Sequence, residues 1–101
     1  MPLGQLPRVP VEPIVGTVAD TLIHFPSLYG TYGIDVLISN LDITNPLYVR
    51  VNKAINPKTI GASGEVALSN VIVEYLQITP NASTGSFEVL PFVIPRELLF
   101  E

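Results

Sequence analysis

The sequence predicts an all-β fold, a compact antiparallel β-sandwich or barrel of about six or seven short strands with extended proline-rich terminal arms. Short runs of β-branched and aromatic residues alternate with polar residues, which is the pattern of strands with one buried face. Turn residues separate these runs at intervals of roughly ten residues. No stretch shows the spacing of apolar residues that a long amphipathic helix requires.

Composition predicts that the chain associates with other chains. Its 101 residues suffice for one domain with a modest core. Charged residues make up 14% of the chain, against about 25% in an average soluble domain, and the mean hydropathy is +0.45. Fourteen charged side chains cover thinly the roughly 5,600 Å² of surface that a folded monomer of 10.9 kDa exposes. We expect the remaining apolar surface to be buried between subunits.

Charge and segment length argue against several kinds of partner. The net charge is -4 and the five basic residues form no cluster along the sequence, so we expect no binding to nucleic acid. No apolar run approaches the ~20 residues of a membrane-spanning helix, and we expect no membrane partner. The N-terminus lacks the features of a signal peptide, so synthesis in the cytoplasm is expected. No cysteine is present, which excludes disulfides.

Residues 1–13 are predicted to form an extended arm. Four prolines disfavour both a regular helix and a central strand in this segment. Apolar residues stand between the prolines, whereas disordered tails are poor in such residues. The arm is therefore predicted to contact a neighbouring subunit or the protein shell of a larger particle. The alternatives are a frayed end and an arm that lies on its own domain. The contacts are assigned to Leu3, Leu6, Val9 and Val11.

The β-domain is predicted to span residues 14–90. The strongest strand signal is the run Val71–Ile78, and turn residues bound it on both sides. Both of its faces are mostly apolar, so we expect it to be covered on both sides and to organise the fold. Alternation also places Ile34, Val36 and Ile38 on one buried face. The predicted strands cover residues 14–19, 21–25, 34–40, 47–53, 65–68, 71–78 and 86–90.

The segment Ser27–Gly33 is predicted to be a loop. In it, Tyr29 and Tyr32 alternate with glycines, so that large amphipathic rings stand on a mobile backbone. This composition suggests a binding loop. The alternative is that the two tyrosines cover the edge of the core.

Residues 91–101 are predicted to be an apolar tail that docks. Prolines interrupt the segment, and residues 96–101 have the composition of a possible helical turn. Subunit or shell contacts are assigned here to Phe92 and Phe100.

Catalytic and metal-binding signatures are weak. The single histidine, His24, lies in an apolar strand, where a structural role is expected. No loop concentrates carboxylates as a hard-cation site requires. The turn Gly61–Gly64 lacks the lysine and the following helix of a phosphate-binding loop. We therefore predict that the protein is not an enzyme and that it uses no cofactor or metal.

A resemblance is carried by the segment from Ile34 to about Leu90. The strand Pro46-Leu-Tyr-Val-Arg-Val-Asn52 follows a turn rich in Asn and Asp, and Ser63–Leu68 supplies a glycine-containing turn and a short strand. The run Val71–Ile78 and a Thr-Gly-Ser loop into Phe87 complete the pattern. This order resembles small β-sandwich proteins of tailed phages and related viruses. The resemblance implies a virion component, such as a capsid decoration protein or a tail or fibre subunit, that forms a trimer and binds a major capsid or other virion protein.

Two other functions fit the same residues. The chain could be a small β-sandwich module that binds carbohydrate or protein, with Tyr29 and Tyr32 in the contact surface. It could also be a subunit of a non-viral extracellular filament, which would rely on the same apolar contacts. The leading hypothesis is a non-enzymatic assembly protein of the virion, held by apolar contacts between subunits and by its terminal arms.

Overall fold

A computed structural model describes residues 7–17, 21–80 and 86–95, which form a sandwich of two antiparallel sheets. The five-stranded sheet has the order β1-β9-β4-β7, and β2 also pairs with β9. Its strands are β1 (Val9–Pro10), β2 (Ile14–Thr17), β4 (Gly33–Asn40), β7 (Glu65–Val73) and β9 (Ser86–Val93). The four-stranded sheet has the order β3-β8-β5-β6. Its strands are β3 (Thr21–His24), β5 (Leu47–Val51), β6 (Lys58–Ile60) and β8 (Tyr75–Pro80).

The all-β sandwich is confirmed, with nine strands in the described part of the chain rather than six or seven. The two strands that the pattern missed are β1 and β6. They have two and three residues, which is too short for an alternating pattern to be visible.

The core lies between the two sheets and is built by alternation. Its largest fully buried side chains include Phe25 and Phe87. Each phenylalanine lies against a glycine: a Cβ on Gly16 would come within 2.2 Å of the Phe87 ring, and a Cβ on Gly33 within 2.7 Å of the Phe25 ring. The two glycines therefore make the room that the rings occupy. The core cluster contains Ile23, Phe25, Val36, Ile38, Leu47, Val49, Ile60, Leu68, Val73, Leu76, Ile78, Phe87, Val89 and Val93.

The run Val71–Ile78 is not one strand, which corrects the prediction. It divides at Glu74: β7 ends at Val73 in one sheet and β8 begins at Tyr75 in the other. Val73 and Leu76 are both buried, although three residues apart they would face opposite sides of a straight strand. The corner at Glu74 turns both into the core.

The side chain of Asn52 holds this corner. Its Oδ1 accepts hydrogen bonds from the backbone N–H groups of Glu74 (2.7 Å) and Tyr75 (3.1 Å). Its Nδ2 donates to the carbonyl of Ile72 at 2.9 Å. A single amide thus satisfies the backbone groups that lose their ladder partners where the chain changes sheets.

Strand β4 contains a bulge, and because of it one side chain lies on the opposite face of the sheet from the one predicted. Ile34 pairs with Phe92 and Leu37 pairs with Leu90, so two β4 residues oppose the single residue Pro91. Pro91 has no N–H to donate, and a bulge accommodates that gap in the ladder. Asp35, in the bulge, has φ 54°, a conformation that Asp tolerates better than most residues.

The bulge places Ile34 on the outer face of the sheet, which corrects the prediction that Ile34 shares a face with Val36 and Ile38. Directly opposed residues in an antiparallel pair project to the same side, and Ile34 is opposed by the exposed Phe92. Ile34 is nevertheless fully buried. The core cluster includes Val36 and Ile38 but not Ile34, in agreement with this assignment.

A short helix, α1 (Phe25–Tyr29), replaces the first part of the predicted loop. Pro26 lies in its first turn, and Gly30 ends it with φ 71° while its N–H donates to the Pro26 carbonyl at 3.0 Å. Five residues are too few to show the apolar period of a helix, so the proline in the first turn and the glycine at the end were the features of the sequence that indicated it.

The described parts of both predicted arms lie on their own five-stranded sheet. Val9 and Pro10 pair with Val93 and Phe92, and the Val11 N–H donates to the Pro91 carbonyl at 3.4 Å. β1 is an edge strand, where proline is tolerated. The sheet thus includes residues from beyond both limits of the predicted 14–90 domain. Residues 1–6 and 96–101, with Leu3, Leu6 and Phe100, lie outside the described residues.

Candidate functional site

The outer face of the five-stranded sheet is apolar at its centre. On β4, Leu37 lies between Leu90 of β9 and Ala67 of β7. The next outward row places Ile34 between Phe92 and Ile72. Outer faces of antiparallel sheets are usually polar where they meet water. We call this surface the apolar outer face. It consists of Leu37, Ala67, Ile72, Leu90 and Phe92, with the fully buried Ile34 on the same side of the sheet.

Charged and polar groups border the apolar outer face at one end. Ser39 pairs with Glu88 on one side and with Glu65 on the other, one row beyond Leu37. Phe92 is 38% exposed, and Ala67 on the edge strand is also exposed. An apolar centre with a polar rim is the common layout of a protein–protein contact surface.

Arg8 links the N-terminal segment to two other strands. Its Nε donates to Asp35 Oδ2 in an ion pair, and its Nη2 donates to Asn70 Oδ1 at 2.6 Å. The other Asp35 oxygen accepts the Asn70 backbone N–H at 2.6 Å. Asn70 has φ 58°, so the cluster joins the irregular positions of β4 and β7. Arg8 and Asp35 are partly exposed, and the cluster serves to fasten the residues before β1 across the sheet.

The Asn70 backbone hydrogen bond, together with Arg8, holds the pKa of Asp35 below its usual value. Because the folded-state pKa is depressed, the stabilisation is present above the unfolded value of 3.8 and is lost as pH falls through the folded pKa. We expect Asp35→Asn to lower the free energy of unfolding by about 1–2 kcal/mol at neutral pH. The difference from wild type should disappear in strong acid.

Urea denaturation of both proteins across this pH range measures that difference. Glu88→Gln is the matched control, because Glu88 lies on the neighbouring strand and forms no ion pair with a described residue. A difference between wild type and Asp35→Asn that does not change with pH would show that the charge of Asp35 contributes nothing.

The corner between β3, α1 and β8 carries a polar cluster around His24. The imidazole stacks on the Tyr75 ring at 4.4 Å between centroids, and its Nδ1 is hydrogen-bonded to Ser27 Oγ. Its Nε2 lies 3.8 Å from Glu74 Oε1, which is too long for a hydrogen bond. Lys53 Nζ lies 4.2 Å from the centre of the Tyr75 ring. Ser, His and Glu thus meet here, but the contacts fit a group that stabilises the corner better than an activated nucleophile.

The outer face of the four-stranded sheet carries a shallow polar groove of about 370 Å³. Cross-strand pairing places Tyr48 beside Thr79 and Arg50 beside Gln77. Pro57, from the loop between β5 and β6, completes the lining. The sequence did not reveal this groove because its residues come from segments almost thirty residues apart, and only the pairing of β5 with β8 joins them.

Both tyrosines of the predicted binding loop are half-buried in their own domain. Tyr29 lies in α1, packs against the core and has its ring centre 5.6 Å from that of Phe25. Burial raises the pKa of its hydroxyl. Tyr32 is half-buried, and its carbonyl accepts the Ile94 N–H at 3.1 Å. Tyr29 therefore matches the alternative in which a tyrosine covers the core edge.

The described residues of the predicted contact set differ in exposure. Val9 is 42% exposed on the edge strand, whereas Val11 is half-buried against the protein's own core. Phe92 belongs to the apolar outer face. Among the described residues, no group of three or more potential metal ligands is present and no helix is long and apolar enough to cross a membrane.

Comparison with known proteins identifies no family for this chain. No family model matches the chain, and no curated protein or solved structure matches it either.

Proposed function

We propose that the protein is a non-enzymatic structural assembly subunit that associates through the apolar outer face. The observation that carries the proposal is the pairing of Leu37 with Leu90 and Ala67 on the outer face of the five-stranded sheet, where Ala67 is exposed and the two leucines are partly exposed. The low content of charged residues supports the same conclusion. Burying such side chains stabilises association by roughly 25 cal/mol per Å² of apolar surface.

The proposed setting is a virus particle, in which the protein decorates or cements a capsid, and the trimer is the proposed oligomer. Both points rest on the resemblance of residues 34–90 to small virion β-sandwich proteins. A coding sequence flanked by capsid, portal or tail genes would support this setting, and a position among genes for cell-surface filaments would favour the filament alternative.

In this proposal fewer residues of the terminal arms contact a neighbouring subunit than the sequence predicted. Residues 9–11 pair with β9 of their own sheet and are not available to clamp a neighbour. Contacts with a neighbouring subunit are therefore proposed for Leu3, Leu6 and Phe100, and for Phe92 within the apolar outer face.

Ala67→Glu tests the proposed interface. Ala67 is exposed on an edge strand, so its replacement removes no core contact but places a charge beside Leu37. We expect the substitution to raise the dissociation constant of the oligomer at least tenfold relative to wild type. A charge buried without a partner costs more than the ~1.4 kcal/mol that corresponds to a factor of ten. Sedimentation velocity over a range of protein concentrations measures the effect.

Leu22→Glu is the matched control, since Leu22 is 63% exposed on the outer face of the opposite sheet. It introduces the same charge and should leave sedimentation unchanged. A wild-type protein that stays monomeric at millimolar concentration and binds no shell would overturn the proposed function. So would an oligomer that Leu22→Glu weakens and Ala67→Glu does not.

A further inference from the structure

The two sheets carry opposite charges. The strands of the five-stranded sheet contain Asp35, Glu65 and Glu88 and no lysine or arginine. The four strands of the other sheet, together with the loop between β5 and β6, contain no Asp or Glu. That same region contains three of the five basic residues of the chain, Arg50, Lys53 and Lys58. A chain of net charge -4 thus has one locally basic sheet.

Arg50 lies in the polar groove on the outer face of that sheet. It is exposed and forms no ion pair or side-chain hydrogen bond with any residue that the structure describes. Its guanidinium is a planar fork of donors whose geometry matches a carboxylate. The groove therefore offers an anion-binding group that has no partner among the described residues.

The other lining residues suit a sugar. The half-buried Tyr48 supplies an aromatic surface next to Arg50, and Gln77 and Thr79 supply amide and hydroxyl groups that both donate and accept hydrogen bonds. Cross-strand pairing fixes the four side chains as two adjacent pairs on a rigid sheet. A volume of about 370 Å³ fits one or two sugar rings, at the small end of ligand sites.

We infer that this groove binds an acidic saccharide, a sugar that carries a carboxylate. In the bound state the guanidinium of Arg50 holds the carboxylate, the Tyr48 ring packs against a sugar face, and Gln77 and Thr79 bond to hydroxyl groups. A long polyanion such as nucleic acid fits less well, because a single arginine is present among the described lining residues and the net charge of the whole chain is -4.

The groove and the apolar outer face lie on opposite sides of the sandwich. A subunit assembled through one sheet therefore keeps the other sheet accessible, and an oligomer presents several grooves at once. Saccharide binding does not depend on the proposed function, and a failure of one proposal leaves the other standing.

Titration of the isotope-labelled full chain with three probes, followed by NMR, tests the inference. The probes are 3′-sialyllactose, trigalacturonate and neutral lactose. We expect both acidic sugars to bind with dissociation constants of about a millimolar and lactose to bind at least tenfold more weakly. The largest shifts should be those of the amides of Tyr48, Arg50, Gln77 and Thr79.

Arg50→Gln should weaken binding of both acidic sugars by about tenfold or more, because it removes charge-assisted hydrogen bonds. Lys58→Gln is the matched control: it removes one charge from the same hairpin, at a residue that does not line the groove. Binding of neither acidic sugar, equal binding of lactose, or equal weakening by the two variants would overturn the inference. Tighter binding of inorganic phosphate or a short oligonucleotide than of either sugar would overturn the saccharide assignment and identify a phosphate group as the ligand.

Discussion

Replacing Gly33 with alanine is expected to lower the free energy of unfolding by about 3 kcal/mol, at the upper end of the usual range for overpacking. The added Cβ would lie 2.7 Å from Cε1 of Phe25 and 2.9 Å from its Cδ1. Neither partner has room to move. Gly33 is in β4, which is held between β7 and β9, and Phe25 is fully buried. A loss of this size should lower the melting temperature by more than 10 °C, since each kcal/mol is worth roughly 4–8 °C at this size.

The comparable contact at Gly16 should cost less despite its closer approach to Phe87. Among the described strands, β2 pairs only with β9, so this strand can move outward and relieve the clash. Gly61→Ala is the control for both, because a Cβ at Gly61 would meet no atom within 4 Å. Thermal unfolding should rank the three variants with Gly33→Ala least stable and Gly61→Ala close to wild type. Phe25→Leu added to Gly33→Ala should recover part of the loss, and a purely additive double variant would show that the two residues are not in contact.

Replacing Asn40 with alanine is expected to lower the free energy of unfolding by about 3–5 kcal/mol, since each buried polar group left without a partner costs roughly 1–3 kcal/mol. Asn40 is 3% exposed. Its Nδ2 lies 2.9 Å from the carbonyl oxygen of Asn45, 3.2 Å from that of Ile60 and 3.1 Å from that of Gly61. Its Oδ1 accepts the Asp42 N–H at 3.0 Å. One side chain thus fastens the turn after β4 to the turn after β6.

Asn56→Ala is the control for this prediction, because Asn56 is exposed and its side chain bonds to no described residue. Chemical denaturation of both variants gives the two free energies. Asn40→Asp should be at least as damaging as Asn40→Ala at neutral pH, because it replaces an amide donor by a carboxylate facing three carbonyl oxygens. An Asn40→Ala protein as stable as wild type would mean that water fully replaces the amide.

The strands that were predicted correctly are those in which alternation continues without interruption. In β5, Leu47 and Val49 are buried and Arg50 is exposed, as the pattern indicates. In β9, Phe87 and Val89 are buried, and the strand continues through Pro91 to Val93. Alternation identifies such strands because a buried face needs an apolar residue at every second position.

The predictions failed where tertiary contacts alter the alternation. The corner at Glu74 depends on an amide that lies twenty-two residues earlier in the chain, at Asn52. The bulge at Asp35 depends on Pro91, fifty-six residues later, through the pairing of β4 with β9. A pattern read along one segment contains no information about a partner at that distance, so such features become visible only when the strands are paired.

The candidate surfaces were predicted to an equally uneven degree. Phe92 was assigned to a subunit or shell contact, which stays a prediction, and the structure places Phe92 on the apolar outer face. Leu37 was already visible as an apolar residue on the side of β4 opposite Ile38. Neither residue could be joined to Ala67 or Leu90 without the register of the sheet. The basic character of the four-stranded sheet was hidden for a related reason. Arg50, Lys53 and Lys58 lie close together in the sequence, but strand assignment is needed to see that the strands paired with them contain no Asp or Glu.

Because β7 passes directly into β8, we expect the two sheets to unfold as a single cooperative unit. No loop separates Val73 from Tyr75 that could open while both ladders persist. Loss of the β4–β7 ladder at one end of this segment therefore strains the pairing of β8 with β3 and β5 at the other. Amide hydrogens of the two sheets should accordingly exchange through one common opening reaction with a single dependence on denaturant, instead of two. Assembly or ligand binding on either outer face would then slow exchange across the whole sandwich, because each face is connected to the same global transition.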